Sequence, residues 1–179
     1  ITIFLFSTLF AITMFARNPK YEFRATWLAT HYAIDWPKTK ATSTNNITIQ
    51  KKELTDIFDK MAVSNMNAVC LQVRSLSDAI YQSSYEPWSK MLTGTRGQYP
   101  GYDSLAFAVE EAHKRGIDVH VWINPYRVTL KTTNIDDIAP SHMYNKHPEW
   151  FVKYGKQWYY APHLQETRDF LCKVVADLV

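Results

Sequence analysis

Apolar residues change their spacing along this chain, and the changes mark out its elements. From residue 49 onward, Leu54, Ile57, Phe58, Met61 and Ala62 recur at i, i+3, i+4, i+7 and i+8. That is the stripe of an amphipathic helix, and Asn65-Met66-Asn67 stops it. A second stripe, Leu105, Ala108, Val109 and Ala112, lies between Asp103, a good N-cap, and Gly116, which suits a C-cap. A third, Leu171, Val174, Val175 and Leu178, runs on to Val179 without a stop signal. Between these stripes, residues 22–30, 68–74 and 117–124 are short apolar or alternating runs rich in β-branched and aromatic side chains, and predict strands. Residues 149–160 predict a hairpin that turns at Gly155-Lys156.

The order strand, helix, strand, helix, strand, helix requires crossover connections, hence a parallel α/β sheet with helices outside. Strands starting near Glu22, Asn67 and Ile117 repeat every 45 to 50 residues. Eight such units would need roughly 380 residues, the size of an elaborated (β/α)8 TIM barrel. The expectation is therefore the first three β/α units of such a barrel, a fragment. The rival, a small doubly wound sheet, is disfavoured because no Gly-rich phosphate loop follows any strand.

Residues 1–16 hold twelve apolar side chains and no charge before Arg17-Asn18-Pro19-Lys20 breaks the run. They match the apolar region of a secretory signal peptide, here incomplete, and are too short for a stable membrane span. The expected domains are this segment and residues 17–179 as the N-terminal part of the barrel. The expected localisation is outside the cytoplasm, in periplasm, cell envelope or medium. Cys70 and Cys172 each sit in an apolar pattern and are expected to be buried free thiols.

Composition then narrows the function. Of 179 residues 46% are hydrophobic, enough for a core, and the net charge of +3 is too small for nucleic-acid binding by charge. Aromatic residues make up 15%, the signature of a protein that stacks on flat apolar ligand faces.

In a barrel, side chains alternate between helix layer and lumen, and sites assemble at the C-terminal strand ends. Val69, Leu71 and Val73 form the helix-facing set of the second strand, leaving Cys70, Gln72 and Arg74 inward, with Arg74 at the rim. Val119, Val121 and Ile123 do the same in the third, leaving Asp118, His120, Trp122 and Asn124 inward, with Asn124 at the rim. Asp35 and Trp36 follow the first strand and Asp78 the second, so two carboxylates project toward one end. Glycoside hydrolysis needs such a pair, although an Asp in such a loop is more often a turn former or substrate-orienting residue than a catalytic acid. Asp35 and Asp78 are weak catalytic candidates, and Glu86 a weaker one. His142 and His147 lack zinc-ligand spacing, no Gly-x-Ser-x-Gly elbow is present, and no metal or cofactor is expected.

Several ordered blocks together resemble the glycosyl hydrolase-like 10 family. They are Phe23-Arg24-Ala25-Thr26-Trp27-Leu28-Ala29-Thr30 with Ile34-Asp35-Trp36-Pro37, then Asn67-Ala68-Val69-Cys70-Leu71-Gln72-Val73-Arg74 with Asp78-Ala79-Ile80-Tyr81, Glu86-Pro87-Trp88-Ser89 and Leu92-Thr93-Gly94. Pro100-Gly101-Tyr102-Asp103, Glu111-Ala112-His113-Lys114-Arg115-Gly116 and Trp122-Ile123-Asn124-Pro125-Tyr126-Arg127 complete the set. The resemblance implies an exported bacterial TIM barrel acting on glycosidic bonds of a polysaccharide, with cell-wall glycan as the suggested class. It also implies that Arg74, Asp78, Asn124, Tyr126 and Arg127 are substrate-site residues. Together with Trp36, Trp88, His120 and Trp122 they form the candidate binding set. The family's Asp-rich segment, which would carry the catalytic pair, belongs after a fourth strand, beyond residue 179. This piece alone is therefore expected to be inactive. Where the family has Asp-Pro-Gly before its third helix, this chain has Ala161-Pro162-His163. The alternative function is a non-catalytic barrel that binds glycan in the envelope.

Overall fold

A computed structural model describes residues 22–130 and 134–179; the apolar segment 1–16 lies outside the described residues. In chain order the elements are β1 (Ala25–Leu28), α1 (Thr44–Val63), β2 (Ala68–Arg74), α2 (Lys90–Thr93), α3 (Ser104–His113), β3 (Asp118–Ile123), β4 (Phe151–Tyr154), β5 (Gln157–Tyr160) and α4 (Gln165–Ala176). Strands β1, β2 and β3 form one sheet in that order, all parallel, with Thr26 beside Val69 and Val69 beside Val119. This is the mixed α/β architecture with a parallel sheet that the periodicity predicts. Strands β4 and β5 pair antiparallel, the hairpin expected at Gly155.

Helix α1 starts earlier than its apolar stripe, because Ser43 is extended and its Oγ accepts from the Asn46 N–H at 3.2 Å. It ends where Asn65 takes a left-handed φ of 58°, a conformation that asparagine tolerates. Asp103 caps α3 as its sequence predicts, accepting from the Ala106 N–H at 2.9 Å.

Strand parity sorts the faces of the sheet. Leu28, Val69, Leu71 and Val73 are buried against Leu54, Phe58 and Met61 of α1 and Ala108 and Ala112 of α3. Each fully buried Val or Leu there contributes roughly 1.5–3 kcal/mol. The other face is open. Phe23 and Trp27 are 63% and 64% exposed, with Trp27 edge-to-face on Trp122 and Phe23 edge-to-face on His120. Val121 faces the helix side yet is 47% exposed, since no helix covers the β3 margin among the described residues.

A second core lies beyond β3. There Val128, Ile135, Ile138, Phe151, Tyr160, Phe170, Leu171 and Val174 cluster, with Tyr144, Trp150 and Trp158 packed against them. Much of the aromatic excess is spent here, ring on ring, rather than on a ligand surface. The thiols are free as expected, but Cys172 is exposed and Cys70 half-buried, which corrects the expectation that both are buried. On α4 the apolar stripe leaves Cys172 on the outer side, between Leu171 and Val174, which face the core.

Candidate functional site

The three parallel strands deliver their following loops to one end of the sheet, and a polar network ties these loops together there. Gln72 of β2 holds the loop after β1: its Oε1 accepts from the N–H of Thr30 at 3.1 Å and of His31 at 2.8 Å. Thr30 Oγ1 in turn donates to the Gln72 carbonyl at 3.0 Å. Next to it, His31 Nδ1 lies 2.8 Å from Ser75 Oγ. On the other side Asn124 donates its N–H to the Arg74 carbonyl at 2.9 Å and its Nδ2–H to the Ser75 carbonyl at 3.3 Å. Its Oδ1 accepts from the Trp122 indole N–H at 3.0 Å.

Arg74 is the centre of this network. A register shift between Gln72 and Arg74 sets Arg74 beside Ile123, a bulge that re-aims the side chain at the end of the strand. Its Nε and Nη2 donate to Glu86 Oε2 and Oε1 at 2.6 and 2.5 Å. Nη1 donates to the carbonyls of Asn124 and Pro125, the latter at 3.0 Å. Burial opposes the charge on Arg74, but the carboxylate of Glu86 outweighs it and holds the guanidinium pKa above its ordinary value. For Glu86, burial pushes the carboxyl pKa up against the pull of Arg74. The two-pronged geometry is that of an ion pair, because a guanidinium keeps its proton. One side chain thus fastens the loop after β2 to the loop after β3.

The loop after β2 is held from a second direction as well. Ser77 takes a left-handed φ of 52°, and its Oγ donates to the Leu76 carbonyl at 2.6 Å. His142 Nδ1 accepts the Tyr144 N–H at 3.0 Å, so in the neutral ring Nε2 carries the proton and donates to Ser77 Oγ at 2.7 Å. Burial first, then the positive charges of Arg74 and Arg96, lower the His142 pKa to about 4. The turn so fixed carries Asp78, which is buried and accepts the Leu76 N–H at 3.2 Å.

The predicted site residues therefore separate. Asn124 and Asp78 both lie in the strand-end loops, Asn124 bonded to the Ser75 carbonyl and Asp78 to the Leu76 N–H, and the half-buried Arg127 and the exposed Tyr126 follow on the same loop as Asn124. Arg74 belongs to the site but is fully buried, so it positions the loops rather than touching a ligand. Trp36 is corrected outright: it is fully buried in the core, with its indole N–H donated to the Gln50 carbonyl at 3.0 Å, and offers no face to a sugar. Asp35 is exposed, and its Oδ2 accepts the Ala29 N–H at 2.8 Å, a turn-forming role. Glu86 is committed to Arg74. Trp88 is half-buried against Tyr99. His120 and Trp122 lie on the open face of the sheet below Asn124, His120 exposed beside Phe23 and Trp122 half-buried beside Trp27. His31 is a member of the cluster that sequence parity does not single out. Its one signal is its place directly after a strand.

The family model described as glycosyl hydrolase-like 10 matches residues 22–179. The chain is 44% identical over 158 residues to the glycosyl hydrolase YngK of Bacillus subtilis (strain 168), an alignment that covers 88% of this chain and 30% of that protein. It is 34% identical over 168 residues to the glycosyl hydrolase DigH of Escherichia coli (strain K12), covering 87% of this chain and 38% of that one. The chain thus spans 30% and 38% of these curated relatives' lengths. Among solved structures, its fold is similar to that of a noncanonic maltogenic alpha-amylase, AmyB from Thermotoga neapolitana, with a TM-score of 0.51 and 15% identity over 86% of this chain and 35% of that one.

Proposed function

The chain belongs to the glycosyl hydrolase-like 10 family, and from that premise we propose that it forms the opening units of a (β/α)8 barrel that hydrolyses O-glycosidic bonds in a polysaccharide. The observation that carries this reading is the convergence of the loops after β1, β2 and β3 at one end of a parallel sheet, locked by Arg74 and lined by His31, Asp78, Asn124, Tyr126 and Arg127. That is where barrel enzymes assemble their sites. The open inner face of Phe23, Trp27 and Trp122 is the surface that further strands would cover.

A glycosidase needs two carboxylates flanking the bond. Of the three sequence candidates, Glu86 is neutralised by Arg74, Asp35 accepts the Ala29 N–H in a turn, and the buried Asp78 accepts the Leu76 N–H in another. We therefore place the catalytic pair in the part of the relatives' length that this chain does not span. Here Asn124, Tyr126 and Arg127 hold the sugar, the buried Asp78 shapes the turn after β2, and neither metal nor cofactor is called upon. The proposed polymer is a cell-wall glycan, reached by export, which the apolar segment 1–16 supports. No helix among the described residues is long and apolar enough to cross a membrane.

The test is release of reducing ends from purified cell-wall glycan by the full-length protein. Release supports hydrolysis. Binding without release points instead to the non-catalytic glycan-binding envelope barrel.

A further inference from the structure

A cleft of about 590 Å³ opens between the loop after β1 and helix α2, lined on the β1 side by Tyr32, whose ring packs on that of His31. Its floor is apolar, built from Leu130, Ile138 and Ala139, all buried. One wall is Tyr32, 56% exposed and held outward by a left-handed φ of 54°. The loop carrying it is tied by Lys38, whose Nζ donates to the Ala33 carbonyl at 3.0 Å. The opposite wall carries Lys90 and Arg96, and neither forms an ion pair among the described residues.

The lining carries a net positive charge. Lys40 sits behind the same wall, with Nζ on the Met91 carbonyl at 2.6 Å. Burial lowers its pKa most, Glu53 opposes that, and the like charge of Lys90 lowers it further, which puts two ammonium groups close together. The lining of the cleft itself holds two cations, Lys90 and Arg96, against one carboxylate, Asp137.

We propose that this cleft is a glycan subsite for a sugar residue that bears a carboxylate, with Tyr32 as the stacking face and Lys90 and Arg96 as the partners of the acid group. A ring stacked on Tyr32 would rest its apolar side on the aromatic face and the apolar floor. Its carboxylate would reach the two cations, of which Arg96 can offer a forked pair of donors. The inference rests on the glycoside hydrolase reading and adds to it a preference for acidic over neutral glycans.

The experiment is isothermal titration of the full-length protein with two hexasaccharides at low salt: hyaluronan hexasaccharide, in which every second ring carries a carboxylate, and chitohexaose, in which none does. The acidic sugar is expected to bind about tenfold more tightly, the worth of a charge-assisted hydrogen bond, and to lose that advantage at high salt. The double variant K90A/R96A should bind both sugars alike, with chitohexaose affinity and melting temperature unchanged. Tyr32→Ala should weaken both. Equal binding of the two sugars by the wild type, or a preference that survives in K90A/R96A, overturns the subsite and leaves the glycan reading standing. If neither sugar binds, the glycan reading falls and the subsite falls with it.

Discussion

The guanidinium of Arg74 and the carboxylate of Glu86 meet through two hydrogen bonds of 2.6 and 2.5 Å, with side chains 0% and 2% exposed. A pair this deeply buried is costly to break from one side, because the surviving charge has no water to turn to. Glu86→Gln should destabilise the protein by about 3–5 kcal/mol, read by denaturant unfolding. Arg74→Lys should also destabilise, since a single ammonium cannot span Glu86 and the Pro125 carbonyl together.

His142 makes stability depend on acid. Its pKa is about 4 in the folded protein, against an ordinary 6.5 for a free imidazole, so the unfolded chain binds the proton more readily between those limits. Stability is then fully present above pH 6.5 and falls as pH drops toward 4, by about 3 kcal/mol in all. Denaturant unfolding at a series of pH values checks this, and His142→Gln should flatten that window.

Trp36 separates stability from ligand binding. Trp36→Ala should cost about 3–5 kcal/mol by leaving a cavity. Trp36→Phe, which keeps most of the volume and loses the bond to Gln50, should stay folded and bind glycan as the wild type does. A loss of glycan affinity in folded Trp36→Phe protein would return this residue to the binding surface.

Gly101 has φ of +89°, and a Cβ there would lie 2.7 Å from Ile47 Cδ1. Gly101→Ala should lose about 1 kcal/mol or more in thermal unfolding. Adding Ile47→Val should relieve the clash and not the backbone strain, so recovery should be partial.

The sheet is legible in the sequence because Val69, Leu71 and Val73 announce a helix-facing side by simple alternation, and α3 because Asp103 and Gly116 punctuate it. Trp36 misleads because an aromatic in a loop after a strand looks the same from sequence whether it points to solvent or back into the core. Parity places Arg74 at the rim, but its partner Glu86 is twelve residues on in an irregular loop, and no periodicity links them. In the sequence His142 reads only as a loop histidine without metal-ligand spacing. Its bond to Ser77, 65 residues away, is a tertiary fact. The aromatic count likewise carries no hint of its division between the open face of the sheet and the second core around Phe151, Tyr160 and Phe170.

Glycan binding by the strand-end cluster around Asn124 is read from the rate of reducing-end release from cell-wall glycan by the full-length protein and its Asn124→Ala variant, compared at equal fraction folded. A fall in kcat/KM of about tenfold or more is predicted, the worth of one well-placed hydrogen bond. An unchanged kcat/KM in a folded Asn124→Ala protein would contradict it.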